Sequence, residues 1–165
     1  MPKTELRNLR FSDAKRIYEI VDNPNFVYFV KPLSLEAYKK LLIKKRKKRG
    51  LEYNHAILYD KKLVGNIGIK IDYHRSYVGE INYFVEEKFW GKGIATEAVY
   101  LMEEIAFQRL RLNRIEILMS PKNIASEKVA IKAGYKKEGV MSGVVKDSKG
   151  EFFDVLLYAK TKKKK

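Results

Sequence analysis

The residues best suited to do chemistry form a short glycine loop between a predicted strand and a predicted helix. Gly91 and Gly93 follow an apolar, aromatic segment and come directly before helix-forming residues. Glycines at such a junction let the backbone adopt positive φ and approach a ligand closely. The N–H groups and the positive dipole end of the next helix attract anions such as phosphate. Lys88 and Lys92 add positive charge beside the loop, so the loop predicts a site for a phosphorylated cofactor.

The hydrophobic pattern predicts the elements that hold this loop. Tyr77–Val85 alternates like a strand, and apolar residues recur at helical spacing after Ile94. Ser12 and Ser34 are predicted N-caps of two earlier helices, the second running to about Arg49. The remaining predicted elements are the strands Thr4–Leu9, Tyr53–Tyr59, Leu63–Ile71, Arg114–Met119, Tyr135–Val144 and Phe152–Ala159 and the helix Asn123–Ala133. This order, β-α-α-β-β-β-α-β-α-β-β, predicts an α/β fold with a mixed sheet and helices on both faces.

Length and composition narrow the class of protein. With 165 residues, 45% of them hydrophobic, the chain is expected to form one globular domain over residues 1–160, followed by a basic tail at 161–165. No apolar run reaches the roughly 18 residues of a membrane span, and no signal peptide is apparent, so a cytoplasmic location is expected. The chain has no cysteine, which excludes disulfides and a cysteine nucleophile. His55 and His74 lack metal-ligand spacing, so no metal site is predicted.

The net charge of +15 favours anionic partners. A phosphorylated cofactor, RNA and a ribosome surface all fit this charge. A surface that is basic only for solubility fits it equally well. The sequence leaves these alternatives open, and it leaves the oligomeric state open too.

A dinucleotide fingerprint is the competing interpretation of the glycines. Gly91, Gly93 and Thr96, with Glu116 further on, have part of its spacing. The third glycine is missing, the glycines do not follow the strand directly, and little chain remains for a doubly wound sheet. This interpretation is therefore disfavoured.

The predicted order of strands and helices, together with three motifs, resembles the GNAT superfamily of N-acetyltransferases. The family's acyl-CoA loop reads Arg/Gln-x-x-Gly-x-Gly/Ala, and the chain has Lys88-Phe-Trp-Gly-Lys-Gly93, which departs only in its first position. Asn123-Ile-Ala-Ser126 and Lys132-Ala-Gly-Tyr135 resemble the branch of ribosomal-protein N-terminal acetyltransferases. The resemblance implies a mixed, mostly antiparallel central sheet whose central strands splay apart.

The resemblance implies that acetyl-CoA lies between the strands Tyr77–Val85 and Arg114–Met119. Backbone groups of Phe84 and Val85 would meet the pantetheine and polarise the acetyl carbonyl, as in an oxyanion hole. The diphosphate would lie on the loop and the first helical turn. The residues expected to bind the cofactor are Phe84, Val85, Lys88, Phe89, Trp90, Gly91, Lys92, Gly93, Ile94, Ala95, Thr96 and Asn123.

Ser126 is the residue expected to serve the leaving thiolate. It occupies the position where this branch has a serine facing the thioester sulfur, and the tyrosine that many members carry seven residues after the asparagine is Ala130 here. A first-turn serine that only stabilises its helix is the alternative. Asn123 would bind CoA or a bridging water, cap the helix, or do both.

Two carboxylates, Glu80 and Asp154, are candidates for the general base, either directly or through water. Glu80 could instead simply pair with a lysine. An α-amine has a pKa of about 7.7–8.0 and a lysine side chain one of about 10.4. Because an α-amine is partly uncharged at neutral pH, a weak base suffices for it, and the lack of an obvious strong base favours α-amines.

The acceptor pocket is expected to include the aromatic residues Phe26, Tyr28 and Phe29 and the hairpin from Tyr135 to Phe153. The predicted function is acetyl transfer from acetyl-CoA to a primary amine by direct attack in a ternary complex. A protein N-terminus is the favoured acceptor, with a ribosomal protein as a candidate. A small-molecule amine and a non-catalytic module that binds acetyl-CoA or RNA are the alternatives.

Overall fold

The computed structural model describes residues 3–26, 34–47, 50–146 and 150–162. Seven strands form one sheet in the order β1-β2-β3-β4-β5-β7-β6. The strands are β1 (Thr4–Asn8), β2 (Glu52–Tyr59), β3 (Lys62–Ile71), β4 (Val78–Val85), β5 (Arg114–Met119), β6 (Lys136–Lys146) and β7 (Phe152–Thr161). The helices are α1 (Ala14–Val21), α2 (Leu35–Lys47), α3 (Ile94–Glu104) and α4 (Ile124–Lys132). Among the strands of the described residues, β4 and β5 are the one parallel pair, which confirms the mixed, mostly antiparallel sheet.

Helices cover both faces of the sheet because its central strands are apolar on both sides. On one face α3 and α4 pack on the larger core cluster, which includes Ile81 and Val85 of β4. On the other face α1 and α2 form a second cluster, against which Leu63 and Phe84 pack. Successive side chains of a strand point to opposite faces. Within β4, Tyr83 therefore points to the α3/α4 face, and Glu80 and Phe84 point to the α1/α2 face.

The central strands β4 and β5 diverge after a short parallel pairing. Val78–Glu80 pairs with Arg114–Glu116, and β4 then continues to Val85 paired only with β3. The Tyr77 carbonyl accepts hydrogen bonds from Asn113 N at 2.9 Å and Arg114 N at 3.1 Å, on the β5 side. Because backbone groups alternate along a strand, those of residues 79, 81, 83 and 85 also face β5. Beyond residue 80 they border an open gap, as expected for splayed strands.

The predicted cap at Ser34 is confirmed, since its Oγ accepts from Ala37 N at 3.1 Å. The prediction for Ser12 is wrong, because Ser12 lies within a short 3₁₀ turn, Phe11–Asp13, that precedes α1. Asp13 provides the local anchor instead. Its carboxylate accepts from Arg10 N at 2.8 Å and from both terminal nitrogens of Arg7, at 2.7 and 2.8 Å. A buried carboxylate of this kind is stable only when such donors surround it.

The other predicted elements agree with the structure to within a few residues, except at two places. After α3 the chain makes a π-helical turn, Ile105–Arg109, that the pattern did not predict. At the C-terminus β7 continues through Thr161, which pairs with Arg114, and Lys162 N donates to Asn113 O at 2.8 Å. Thr161 is the last residue of β7, and the domain boundary predicted there stays a prediction. Within the described ranges, none of the helices combines the length and the apolar character needed to cross a membrane.

Candidate active site

The glycine loop has the backbone that its sequence predicted. Gly91 has φ of 75° and Gly93 φ of 79°, and a Cβ built on either residue would meet no atom within 4 Å. Gly93 occupies the N-cap position of α3, and the first helical hydrogen bond runs from Glu97 N to Gly93 O at 3.0 Å. The N–H groups of residues 94–96 thus lie ahead of the helical ladder and face outward. These open, dipole-aligned donors fit a phosphate group.

The predicted loop residues divide into those that could reach a ligand with a side chain and those that could not. Ile94 is buried, so only its backbone N–H is available, whereas Thr96 is half-buried beside it. Lys88 Nζ lies 2.9 Å from Glu86 Oε1 and 5.5 Å from the centre of the Phe89 ring. Lys92 Nζ lies 5.2 Å from the centre of the same ring. The lysines therefore keep positive charge next to the N-terminus of α3.

Trp90 ties the glycine loop to the end of β4. Its Nε1 donates to the Val85 carbonyl at 2.6 Å, and its ring lies 5.9 Å from that of Phe26. Phe26 is only 7% exposed and also packs edge-on against Phe84 at 5.9 Å. Phe26 is therefore a core residue that braces the loop. Of the predicted acceptor-binding residues, Tyr28 and Phe29 lie outside the described residues.

The end of α1 is also bound to the segment that precedes the glycines. The amides of Asn23 and Asn25 each donate to Glu87 at 2.8 Å. Arg16 of α1 forms an ion pair with Glu86. The expected cofactor loop and the expected acceptor side are thus mechanically linked.

Strand pairing changes what Phe84 could do. Phe84 pairs with Asn66, and a Cβ built on Gly65 would overlap the Phe84 carbonyl oxygen. The backbone groups of Phe84 therefore face β3, away from the gap, which corrects the expectation that they would meet a pantetheine arm. The backbone groups of Tyr83 and Val85 face the gap instead. The Val85 carbonyl accepts a hydrogen bond from Trp90. The N–H groups of Tyr83 and Val85 are the backbone donors that face the gap.

Asn123 and Ser126 meet at the start of α4, and a third residue joins them. Asn123 Oδ1 accepts from Ser126 N at 3.1 Å, which confirms the capping role of Asn123. The Ser126 hydroxyl lies 2.9 Å from the hydroxyl of Tyr83 on β4. Burial raises the pKa of Tyr83 to about 12, against the opposing effect of its hydrogen bond with Ser126. The sequence did not lead to Tyr83 as a site residue, although a hydroxyl among the apolar residues on that face of β4 could have indicated it.

Glu80 lies at the closed end of the gap on the α1/α2 face. It borders a cavity of about 470 Å³ lined also by Lys70, Asp72, Arg75 and Glu116. Burial raises the pKa of Glu80, Lys70 lowers it, and Glu116 raises it further, for a net rise. Glu116 is itself held by Arg114 at 2.7 Å and by Arg75 at 3.5 Å. A half-buried carboxyl whose pKa is raised, next to a cavity, is a candidate for proton transfer.

Asp154 lies in a different part of the molecule from Glu80. It is exposed near the start of β7, and its Oδ1 accepts from Gly143 N at 2.9 Å. Glu80 is opposite Glu116, which is opposite Ala159, five residues from Asp154 along β7. At about 3.3 Å per residue, that places the two carboxylates roughly 16 Å apart along the strands. They cannot both contact one amine, so at most one of them is the base.

The chain is similar to known acetyltransferases. A family model described as an acetyltransferase (GNAT) domain matches residues 3–136. YjcK of Bacillus subtilis (strain 168), named a probable N-acetyltransferase, is 39% identical over 98 residues, which are 58% of this chain and 54% of YjcK. The match thus spans about half the length of that relative.

A second relative and a solved structure match more of the chain. YdaF of Bacillus subtilis (strain 168), whose name describes it as a ribosomal N-acetyltransferase, is 30% identical over 143 residues, covering 81% of this chain and 78% of YdaF. The structure of Mycobacterium smegmatis RimJ in complex with CoA-disulfide superposes with a TM-score of 0.85 at 24% identity, covering 96% of this chain and 81% of that chain. At that identity the structural match establishes the fold.

Proposed function

The chain belongs to the acetyltransferase (GNAT) family, and on this premise we propose that it is an enzyme that acetylates protein N-terminal α-amines with acetyl-CoA as donor. The observation that carries the donor assignment is the open backbone at Gly91 and Gly93, in front of α3 and next to the gap between β4 and β5. The structure of RimJ, which shares this fold, holds a CoA-disulfide. Both support a CoA thioester as the donor.

The chain's own residues would divide the work along the gap. Acetyl-CoA supplies a thioester carbonyl that an uncharged amine can attack. The N–H groups of residues 93–96 would hold the diphosphate, and backbone N–H groups of Tyr83 and Val85 would lie along the pantetheine arm. Ser126 would donate its hydroxyl hydrogen to the sulfur as the C–S bond breaks. Asn123 would hold Ser126 in place, since its Oδ1 accepts from the backbone N–H of Ser126.

Glu80 is the better supported candidate for the base. It lies on the α1/α2 face in a cavity, its pKa is raised, and no ion pair of the described residues engages its carboxylate directly. Asp154, in contrast, is exposed and spends one carboxylate oxygen on the Gly143 backbone. A carboxylate acting alone suits an α-amine, because that amine is already partly uncharged at neutral pH.

The choice of acceptor rests on two lines of support. YdaF, whose name refers to ribosomal acetylation, matches 81% of this chain. The net charge of +15 favours approach to acidic or RNA-bound partners and disfavours polyamines. A ribosomal acceptor would also place the enzyme in the cytoplasm.

The test is transfer from labelled acetyl-CoA to a mixed panel of amines, read by mass spectrometry. The panel contains peptides with Ser, Ala, Thr or Met at the N-terminus, N-blocked lysine peptides, spermidine and free amino acids. Acetylation confined to peptide N-termini supports the proposal and gives the specificity. Acetylation only of lysine, spermidine or an amino acid would keep the enzyme class and reject the acceptor.

A further inference from the structure

A tyrosine of the strand that borders the gap contacts the serine proposed to serve the leaving sulfur. Tyr83 and Ser126 are 43 residues apart in the chain, and their hydroxyl oxygens lie 2.9 Å apart. The Tyr83 hydroxyl also donates to the carbonyl oxygen of Ser126 at 3.3 Å, a longer hydrogen bond than the 2.9 Å contact, in which either hydroxyl could be the donor. The Tyr83 phenol thus links β4 to the first turn of α4.

The contact changes how Ser126 is interpreted. A first-turn serine commonly uses its side chain to satisfy the start of its own helix. Here Asn123 Oδ1 does so by accepting from Ser126 N at 3.1 Å. The Ser126 hydroxyl is instead engaged with a residue of the sheet, so its orientation is set by tertiary structure.

The direction of this hydrogen bond decides what Ser126 can offer. A hydroxyl has one hydrogen to donate and two lone pairs that accept. Tyr83 is half-buried, and burial raises its pKa to about 12, so it keeps its proton at neutral pH. When Tyr83 donates to Ser126 Oγ, the serine hydrogen is left for a different acceptor.

Resting on the function proposed above, we propose that Tyr83 is a positioning residue whose hydroxyl donates to Ser126 Oγ and so directs the serine O–H toward the leaving sulfur. In the reaction the amine nitrogen bonds to the acetyl carbon, the C–S bond breaks, and its electron pair goes to sulfur. The amine gives its proton to the base and from there to solvent, the sulfur takes the Ser126 hydroxyl hydrogen, and Ser126 regains a proton from solvent, so no net proton is gained or lost. Tyr83 keeps its own proton throughout.

Tyr158 of β7 provides a matched control, because its phenol also binds the first turn of α4. Its hydroxyl donates to Glu127 Oε1 at 2.6 Å, one residue after Ser126. Tyr158→Phe therefore removes the same atom and also detaches the first turn of α4 from a strand, in this case β7. It leaves the contact with Ser126 intact, so it separates a loosened helix from a misdirected serine.

The experiment compares kcat and the acetyl-CoA KM for the wild type, Tyr83→Phe, Ser126→Ala, the double variant and Tyr158→Phe. Loss of one neutral hydrogen bond is expected to lower kcat of Tyr83→Phe by about 3- to 10-fold, with KM nearly unchanged. In the Ser126→Ala background the same change should have no further effect, because residues that act through each other are not additive. Tyr158→Phe should keep the wild-type kcat.

A spectroscopic measurement on the complex with CoA tests the same contact without turnover. Thiolate absorbance is followed against pH for CoA bound to each variant. Tyr83→Phe and Ser126→Ala should both raise the pKa of the bound thiol relative to the wild type, and Tyr158→Phe should not. Since Ser126→Ala removes the contact from the other side, it keeps this test available if Tyr83→Phe folds poorly.

Three results would overturn the inference while leaving the proposed function in place: wild-type kcat in Tyr83→Phe, an equal loss in Tyr158→Phe, or a Tyr83→Phe loss that persists without the serine hydroxyl. A wild-type rate in Ser126→Ala would reject both the inference and the role proposed for Ser126. Absence of acetylation of any peptide N-terminus by the wild type would reject the acceptor alone.

Discussion

At the residue scale, the site combines carboxyl and hydroxyl groups whose properties depend on which face of the sheet they occupy. Tyr83 and Glu80 are three residues apart on β4 and so point to opposite faces. Tyr83 reaches α4 and the serine on one side. Glu80 borders the cavity on the other side, beside Glu116. A donor for the leaving group and a base for the amine can therefore act on the gap from its two sides.

The Glu80→Gln variant should be both slower and less dependent on pH in its stability. Because the pKa of Glu80 is raised in the folded state, the folded protein binds more protons than the unfolded chain above the ordinary carboxyl pKa of about 4.5. The stability that Glu80 contributes is therefore lost as the pH rises from about 4.5 through the raised pKa of Glu80 in the folded state. Urea unfolding across pH 4 to 8 should show this loss for the wild type and a flatter curve for Glu80→Gln.

The same variant separates Glu80 from Asp154 as the base. If Glu80 accepts the proton, Glu80→Gln lowers kcat by about 10²-fold or more, the usual contribution of general-base catalysis. Asp154→Asn is the matched control and should stay near the wild-type rate. Loss of turnover in Asp154→Asn but not in Glu80→Gln would reverse the assignment.

At the scale of elements, the proposed phosphate site depends on α3, which begins after a residue without a side chain. A Gly91→Asp change introduces a carboxylate where the backbone is open and the cofactor carries phosphates, so acetyl-CoA affinity should fall by at least 10²-fold. Isothermal titration would measure this. Gly50→Asp is the control, since Gly50 has a similar positive φ of 98° and equally open surroundings at a distance from the loop. Unchanged affinity in Gly91→Asp would reject the phosphate assignment.

The position of β4, which borders the gap, depends on its close approach to β3. A Cβ on Gly65 would overlap the Phe84 carbonyl oxygen, so Gly65→Ala must push the two strands apart. We expect a loss of about 3 kcal/mol in the free energy of unfolding, as for other overpacked backbone sites. Chemical denaturation would measure it, with Gly139→Ala as the control because a Cβ there meets no atom within 4 Å. Equal stability of both variants would show that β3 and β4 tolerate the extra atom.

At the scale of the whole molecule, the charge of +15 should act on binding of the donor. Acetyl-CoA is a polyanion, and long-range attraction between exposed charges is screened by salt. Raising the ionic strength from low to moderate should therefore raise the KM for acetyl-CoA several-fold and change kcat little. Acetyl-pantetheine lacks the phosphates and is the control, since its KM should not respond. An equal response of the two donors would assign no role in donor capture to the net charge.

The sequence by itself determined the features that depend on neighbouring residues. Positive φ at Gly91 and Gly93, the cap at Asn123, and the alternation of the strands are settled within a few residues, so their patterns were readable. The same locality explains the failure at Ser12. A serine at a helix start is a good cap when only its neighbours matter. Here the Asp13 carboxylate anchors the turn instead, because it accepts from Arg10 N and also pairs with the Arg7 side chain of β1.

Only the tertiary structure decided how residues far apart in the chain combine. The pairing of β4 with β3 turned the Phe84 backbone away from the gap, and the divergence of β4 from β5 opened that gap. The same packing brought Tyr83 to Ser126 and kept Asp154 away from Glu80. Such contacts depend on strand register and on the faces that helices cover, and those are set by burial summed over the whole core rather than by any local pattern.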